Sequence, residues 1–434
     1  MDKKQLWRDI SLILLCLLLA FVLAKHLLKE KKELNRIVLI TIDSLRADHL
    51  SSYGYPRKTS PFIDELATKG ILFKNAFTSS AASAPSYSSI FTSLYPIQHN
   101  LLSNGETLDD KYFTLAEVLK QNGFRTAGLI ATNDIGKNAN IPQGFNLVSE
   151  KNIKTKARKA SETVDAIING AEKLGTKAKT GKFFLWIHFS DLHESYPLPK
   201  SYLKVFAKQS NDSFIKFLLD KHKINLSSYG NDTKKMFHAI NSYDRKILFV
   251  DKQIKRLYSY FLEEGLNENT LWIITSDHGE GLGNHGWLYH DKHIYNEQLH
   301  VPLVFHSPSN LLGKKVVGHL VETIDILPTI LDFLEIDIKE TKQSQNIQGI
   351  SLFPFILGKN TYEKEYAFAQ SKGGEKSSIQ TKDYKYINDI ITGKEEFYNL
   401  SEDPFELNNI TDINVEEEKI LRELLTKKLI ELQN

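Results

Sequence analysis

The chain has 434 residues, 41% of them hydrophobic, and a formal net charge of +2. That length can bury one large core with a small satellite, and the balanced charge with no basic stripe excludes nucleic acid as an expected partner. The single cysteine, Cys16, lies in an apolar run near the N-terminus, so disulfides and cysteine-ligated zinc are excluded for the rest of the chain.

Residues 1–9 are polar and include Lys3, Lys4 and Arg8. An apolar segment follows, Ile10 to Ala24, extendable through Leu27 and Leu28. It has the length of a signal-peptide core or, when extended, of a membrane crossing, and residues 10–28 are expected to be an uncleaved anchor. Long hydrophilic domains translocate largely regardless of flanking charge, which puts the remainder outside the cytoplasm, in the periplasm or at the cell surface. Residues 29–35 form a charged linker.

From Arg36 to Asp43 the sequence reads as a buried strand: short, continuous and β-branched. Phe183–Phe189, Leu271–Thr275 and Val301–Phe305 read the same way. Helices are expected between them. Ser60-Pro61 before an amphipathic run ending at Gly70 predicts an N-cap, a first-turn proline and a terminating glycine. Thr114 to Glu117 is a capping box, in a helix ending at Gly123. A long amphipathic helix is predicted from about Asn241 to Glu264. Alternation of this kind implies a mostly parallel central sheet flanked by helices. Beyond residue 350 the pattern changes to a hairpin, Tyr384–Ile387 with Glu396–Tyr398, and a final helix near 415–432. This suggests a small C-terminal α+β subdomain.

Three of the buried strands run straight into polar clusters: Asp43-Ser44-Leu45-Arg46, Ser190-Asp191-Leu192-His193 and Ser276-Asp277-His278-Gly279. Ligands of open α/β sheets bind beyond the carboxyl ends of the strands. Convergence of these ends would place Asp43, Asp277, His278 and His193 around one crevice, with carboxylates and an imidazole suited to a divalent metal. An aspartate after a strand is often merely a helix N-cap; three such ends together favour a site. Ser83 precedes Pro85 at the start of a predicted helix, where a hydroxyl meets free N–H groups that attract an anion. Alone it could equally be an N-cap.

At these residues the chain resembles the sulfatase family, within the alkaline phosphatase superfamily. The resemblance rests on Thr41-Ile-Asp-Ser-Leu-Arg-Ala-Asp48, Ser83-Ala-Pro-Ser86 with Thr92-Ser-Leu-Tyr-Pro96, His188-Phe-Ser-Asp-Leu-His193, Thr275-Ser-Asp-His-Gly-Glu280 and Leu282-Gly-Asn-His-Gly286. It implies an alkaline-phosphatase-like α/β fold, with a catalytic domain at 36–350 and the C-terminal subdomain at 351–434. It implies metal ligation by Asp43, Asp277 and His278, a nucleophile at Ser83, and catalytic roles for His193 and His290. His285 is a neighbour without an implied role. The implied cofactor is one divalent metal ion, calcium first, with manganese, magnesium or zinc as alternatives.

One departure matters. The family converts a Cys or Ser in C/S-x-P-x-R to formylglycine, whereas here position 83 is Ser and Tyr87 replaces the arginine. A cysteine-derived formylglycine is excluded, and the missing arginine argues against a serine-derived one. The expected activity is hydrolysis of a sulfate ester or a phosphate mono- or diester through Ser83. The alternatives are a membrane-anchored phosphoryl-group transferase, of phosphoethanolamine type, acting on an envelope lipid or glycan, and an inactive binding protein.

Overall fold

The structure, a computed structural model, describes residues 35–434 apart from 133, 152–156, 175–180, 194–196, 208–211, 309–311, 338–344, 360–363, 414 and 434. The expected anchor at 10–28 lies outside the described residues. Among those described, no helix is long and apolar enough to cross a membrane.

Eight strands make the main sheet: β1 (Arg36–Ile42), β2 (Ile71–Phe77), β3 (Arg125–Ile130), β4 (Leu147–Glu150), β5 (Phe183–Phe189), β6 (Thr270–Thr275), β7 (His300–His306) and β8 (Lys315–Glu322). Their order is β4-β3-β5-β1-β6-β7-β2-β8. Only β7 runs against its neighbours. Every residue of β1, β5 and β6 is buried, as expected of parallel strands covered on both faces. The large rings Trp186 and Trp272 are fully buried.

The helices that frame the site are α1 (Pro61–Lys69), α2 (Ser83–Thr92), α3 (Leu115–Gln121), α4 (Ala160–Leu174) and α5 (Thr233–Glu263). The capping box at Thr114 and Glu117 forms. Ser60 does not cap α1 through its side chain. Instead Asp251, on α5, accepts hydrogen bonds from the backbone N–H groups of Phe62 (3.0 Å) and Ile63 (2.8 Å). A fixed, buried carboxylate satisfies the same orphan donors better than a neutral hydroxyl does. α5 begins well before Asn241, because Asp232 caps it through the N–H groups of Lys234 and Lys235.

The C-terminal part holds a second, four-stranded antiparallel sheet: β9 (Ala367–Gln370), β10 (Lys376–Gln380), β11 (Tyr384–Asp389) and β12 (Glu395–Asn399). A final helix over Val415–Gln433 contacts β10 and β11. The expected hairpin is the β11–β12 pair, with Tyr386 opposite Phe397.

Candidate active site

Register brings the polar clusters together. Thr41 on β1 pairs with His188 on β5 and with Thr275 on β6. Two residues further on, Asp43 is therefore level with Ser190 on one side and Asp277 on the other. Asp43 is anchored by its N–H to the carbonyl of Phe189, at 2.8 Å. Ser44 takes a left-handed φ of 61°. This turns its N–H to Asp277 Oδ1 at 3.1 Å.

Asp43, Asp277 and His278 each offer one ligand atom, and all three atoms lie within 4.8 Å of one another. All three side chains are buried. Asp277 Oδ2 has no hydrogen-bond partner. The His278 Nδ1–H donates to the carbonyl of Gly279 at 2.8 Å. That leaves Nε2 as a lone pair, 3.0 Å from Ser83 Oγ and 3.4 Å from Asp277 Oδ2.

The electrostatics point to a missing positive charge. Burial, and then the neighbouring Asp43 carboxylate, push Asp277 up to about 8. Burial also opposes charge on Asp43, but His188, His193 and His278 together hold it well below the usual carboxylate range. Burial and the charge of His290 lower His278 to about 4, so its imidazole is neutral. Two close buried carboxylates with a neutral imidazole and an unpartnered oxygen fit a divalent cation.

Ser83 is the first residue of α2, with Ala82 at the N-cap position. The sequence reading of a helix starting just after Ser83 is thus shifted by one residue. The N–H of Ala84 is taken by Asn104 Oδ1 at 2.9 Å. Ser86 secures the helix by donating to the carbonyl of Asp277 at 2.7 Å. One turn beyond Ser83, the fully buried Tyr87 packs on Trp186 and meets the His188 ring edge-on at 5.4 Å. A neutral aromatic therefore fills the place where the resemblance leads one to expect an arginine.

His290 stacks on His278, with ring centroids 4.4 Å apart. Its Nδ1 is 3.2 Å from Glu280 Oε1. Burial works against its charge, but Glu280 raises it to about 9. His193 is exposed at the rim, its ring 5.0 Å from that of His290. All six expected site residues therefore fall in one neighbourhood. A cavity of about 790 Å³ lies elsewhere, between the main-sheet edge and the small sheet; Phe77, His319, Gln380 and Phe405 line it, and none of those six does.

Sequence reasoning missed two members. His188 Nε2 lies 3.8 Å from Asp43 Oδ2, while its Nδ1 accepts the N–H of Ala131 at 3.2 Å. Its signals were a histidine inside an otherwise apolar strand and the first place of the His188–His193 motif. Glu280, the partner of His290, was visible only as part of a motif. Asp191, by contrast, sits in an expected site cluster but caps α4, both its oxygens lying within 3.1 Å of the N–H of Ala160. Asp191→Ala is expected to cost about 0.5–2 kcal/mol of stability, the usual range for a lost N-cap. Urea unfolding measures this, and the predicted kcat is unchanged.

The sequence profile of the family described as Sulfatase matches residues 35–336. A second profile, described as N-sulphoglucosamine sulphohydrolase, C-terminal, matches 283–434. An arylsulfatase of Clostridium perfringens is 27% identical, over 91% of this chain and 94% of its own. The phosphonate monoester hydrolase of Agrobacterium radiobacter superposes with a TM-score of 0.72 at 20% identity, covering 92% of this chain and 95% of that one. A structure solved with its substrate D-glucosamine-2-N,6-O-disulfate superposes with a TM-score of 0.73 at 21% identity, covering 92% and 98%.

Proposed function

We propose, starting from the fact that this chain belongs to the sulfatase family, that it is a metal-dependent hydrolase of sulfate or phosphate esters with Ser83 as its nucleophile. The observation that carries this reading is the 3.0 Å approach of Ser83 Oγ to His278 Nε2, beside the buried Asp43–Asp277 pair.

Asp43, Asp277 and His278 would hold the cation. When bound, it would lower the pKa of the serine hydroxyl and offset charge on the ester oxygens. Calcium prefers an all-oxygen shell, and one imidazole among three donors favours manganese or zinc over it. Ser83 presents its oxygen at the start of α2, where the helix dipole favours an approaching anion. Ser83 gives up its proton to solvent, its oxygen bonds to the central sulfur or phosphorus, and the bond from that atom to the ester oxygen breaks. His290, paired with Glu280, would protonate that oxygen, with His193 at the rim as a second donor; such a step is typically worth about 10²–10⁴-fold.

Formylglycine fits this chain poorly, since Tyr87 stands in place of the motif arginine. A plain serine has no second hydroxyl with which to expel the acid. The adduct must therefore be hydrolysed by water or passed to an acceptor alcohol. Passage to an alcohol is the transferase alternative. Names of relatives, and the disulfated glucosamine bound by a structural neighbour, favour a sulfated glycan among the candidate substrates. The apolar run at 10–28 would tether the domain to a membrane, which cell fractionation tests.

The discriminating experiment assays the metal-loaded protein on an aryl sulfate, an aryl phosphodiester and an aryl phosphonate, before and after chelation. Turnover of at least one, lost on chelation and restored by manganese or zinc, is expected. Metal binding with no turnover of any ester would instead favour a binding protein.

A further inference from the structure

Residues 281–289 fold back on themselves. Gly281 N–H donates to the carbonyl of Tyr289, Leu282 to Leu288 and Gly283 to Trp287, at 2.9, 3.2 and 2.8 Å. The pairing is tight: a Cβ on Gly281 would lie 2.4 Å from the carbonyl oxygen of Trp287. Glu280 and His290, which pair with each other over the site, flank the open end of this hairpin. His285 is at its tip.

His285 is held in a left-handed conformation, φ 49°, between Gly283 (φ 91°) and Gly286 (φ 75°). That conformation costs a non-glycine residue roughly 1–2 kcal/mol, so its side chain must be well held. Its Nδ1 lies 2.9 Å from Glu297 Oε1, and its Nε2 lies 2.9 Å from the backbone carbonyl of Glu406. Both partners only accept, so both ring nitrogens carry hydrogen and the ring is an imidazolium. The ring stacks on Tyr295 at 3.7 Å.

The two anchors are themselves fixed. The Glu406 carboxylate accepts the N–H of Asn296 at 2.6 Å and pairs with the fully buried Lys385 of β11 at 2.6 Å. Glu297 lies against the metal-site loop: its carbonyl oxygen would be 2.0 Å from a Cβ on Gly279. The hairpin tip is thereby tied to the C-terminal subdomain and to the segment abutting the metal-site loop.

We propose that His285 is a positioning residue for catalysis: bonded to Glu297 and to the Glu406 carbonyl, it holds the 281–289 hairpin in the register that stacks His290 on His278. This rests on the reading of His290 as the group facing the leaving oxygen. Loss of the anchor lets His290 wander, which matters only where the leaving oxygen needs a proton. Substrates with a stable leaving anion are spared.

The test uses the full-length, metal-loaded protein and two esters of whichever acid the wild type turns over, one para-nitrophenyl and one with an unactivated alkyl alcohol. His285→Gln is expected to lower kcat on the alkyl ester by about tenfold or more, a fraction of the usual general-acid contribution. The para-nitrophenyl ester and KM should be nearly unchanged. His290→Ala should show the same selectivity more strongly, and the double variant should be no worse than His290→Ala alone. Glu297→Gln should reproduce the His285→Gln pattern. Hydrogen exchange should quicken in residues 281–291 and not in β1 or β6. Equal loss on both esters, additive loss in the double variant, or unchanged exchange would overturn the positioning role while His290→Ala remained selective. A non-selective His290→Ala would instead show that the reading of His290 is wrong, and the positioning role would fall with it.

Discussion

Ser83→Ala is expected to lower kcat/KM by about 10⁴-fold or more, the scale seen when a covalent nucleophile is removed. The side chain is small and sits at the first turn of α2. Its removal forfeits one hydrogen bond, to His278, worth about 1 kcal/mol. The variant should therefore fold, melt within a few degrees of the parent and keep its metal. Steady-state kinetics on the best ester, paired with thermal unfolding and metal titration, separates the two effects. Retention of more than a tenth of the activity would remove Ser83 from the chemistry. Loss of folding along with activity would mean that its role is structural.

Asp277→Asn is expected to act in opposite directions on metal affinity and on stability. The amide keeps the shape of the carboxylate but removes a charge from the cation site. Affinity should fall by well over about 100-fold, since even changes to groups outside the coordination shell cost about 10–100-fold. Without metal, the wild-type protein carries two buried carboxylates within 4.8 Å of each other, and one of them, Asp277, is already pushed up to about 8. Removing the cost of neutralising Asp277, or of keeping it charged beside Asp43, should make the metal-free variant more stable than the metal-free parent. With saturating metal the order should reverse, because ligand binding stabilises the parent alone. Calorimetric melting with chelator and with excess manganese tests this. A variant less stable than the parent in chelator would contradict a surplus of negative charge at this site.

How much of this was legible depended on burial. β1, β5 and β6 are buried along their whole length, so each reads as an unbroken apolar run, and the polar residue that ends the run stands out. That is why Asp43, Asp277 and His278 stand out in the sequence. The same continuity hid His188, which lies one residue inside β5 and looks like core. Weakly patterned strands escaped notice. In β2 the half-buried Lys74 and Asn75 coincide with shifts in register against β7 and β8. β4 is a four-residue edge strand with Leu147 exposed, and edge strand β8 exposes Val316. Asp191 is ambiguous for a different reason. A carboxylate after a strand serves a metal or a helix N-terminus equally well, and only the position of Ala160 distinguishes the two uses. The contacts of Glu280 with His290, and of His285 with Glu297 and Glu406, join residues whose pairing depends on a hairpin with left-handed turns. No local periodicity records that.

In the proposed mechanism an unmodified Ser83 forms the covalent adduct of a metal-dependent ester hydrolase. Peptide mass spectrometry of the segment containing Ser83, on the resting protein and on protein quenched during turnover, tests it most directly. The resting protein is expected to carry an ordinary serine and, during turnover, a mass increase on Ser83 equal to one sulfo or phospho group. An aldehyde at position 83 in the resting protein, or turnover with no adduct on Ser83, would contradict it.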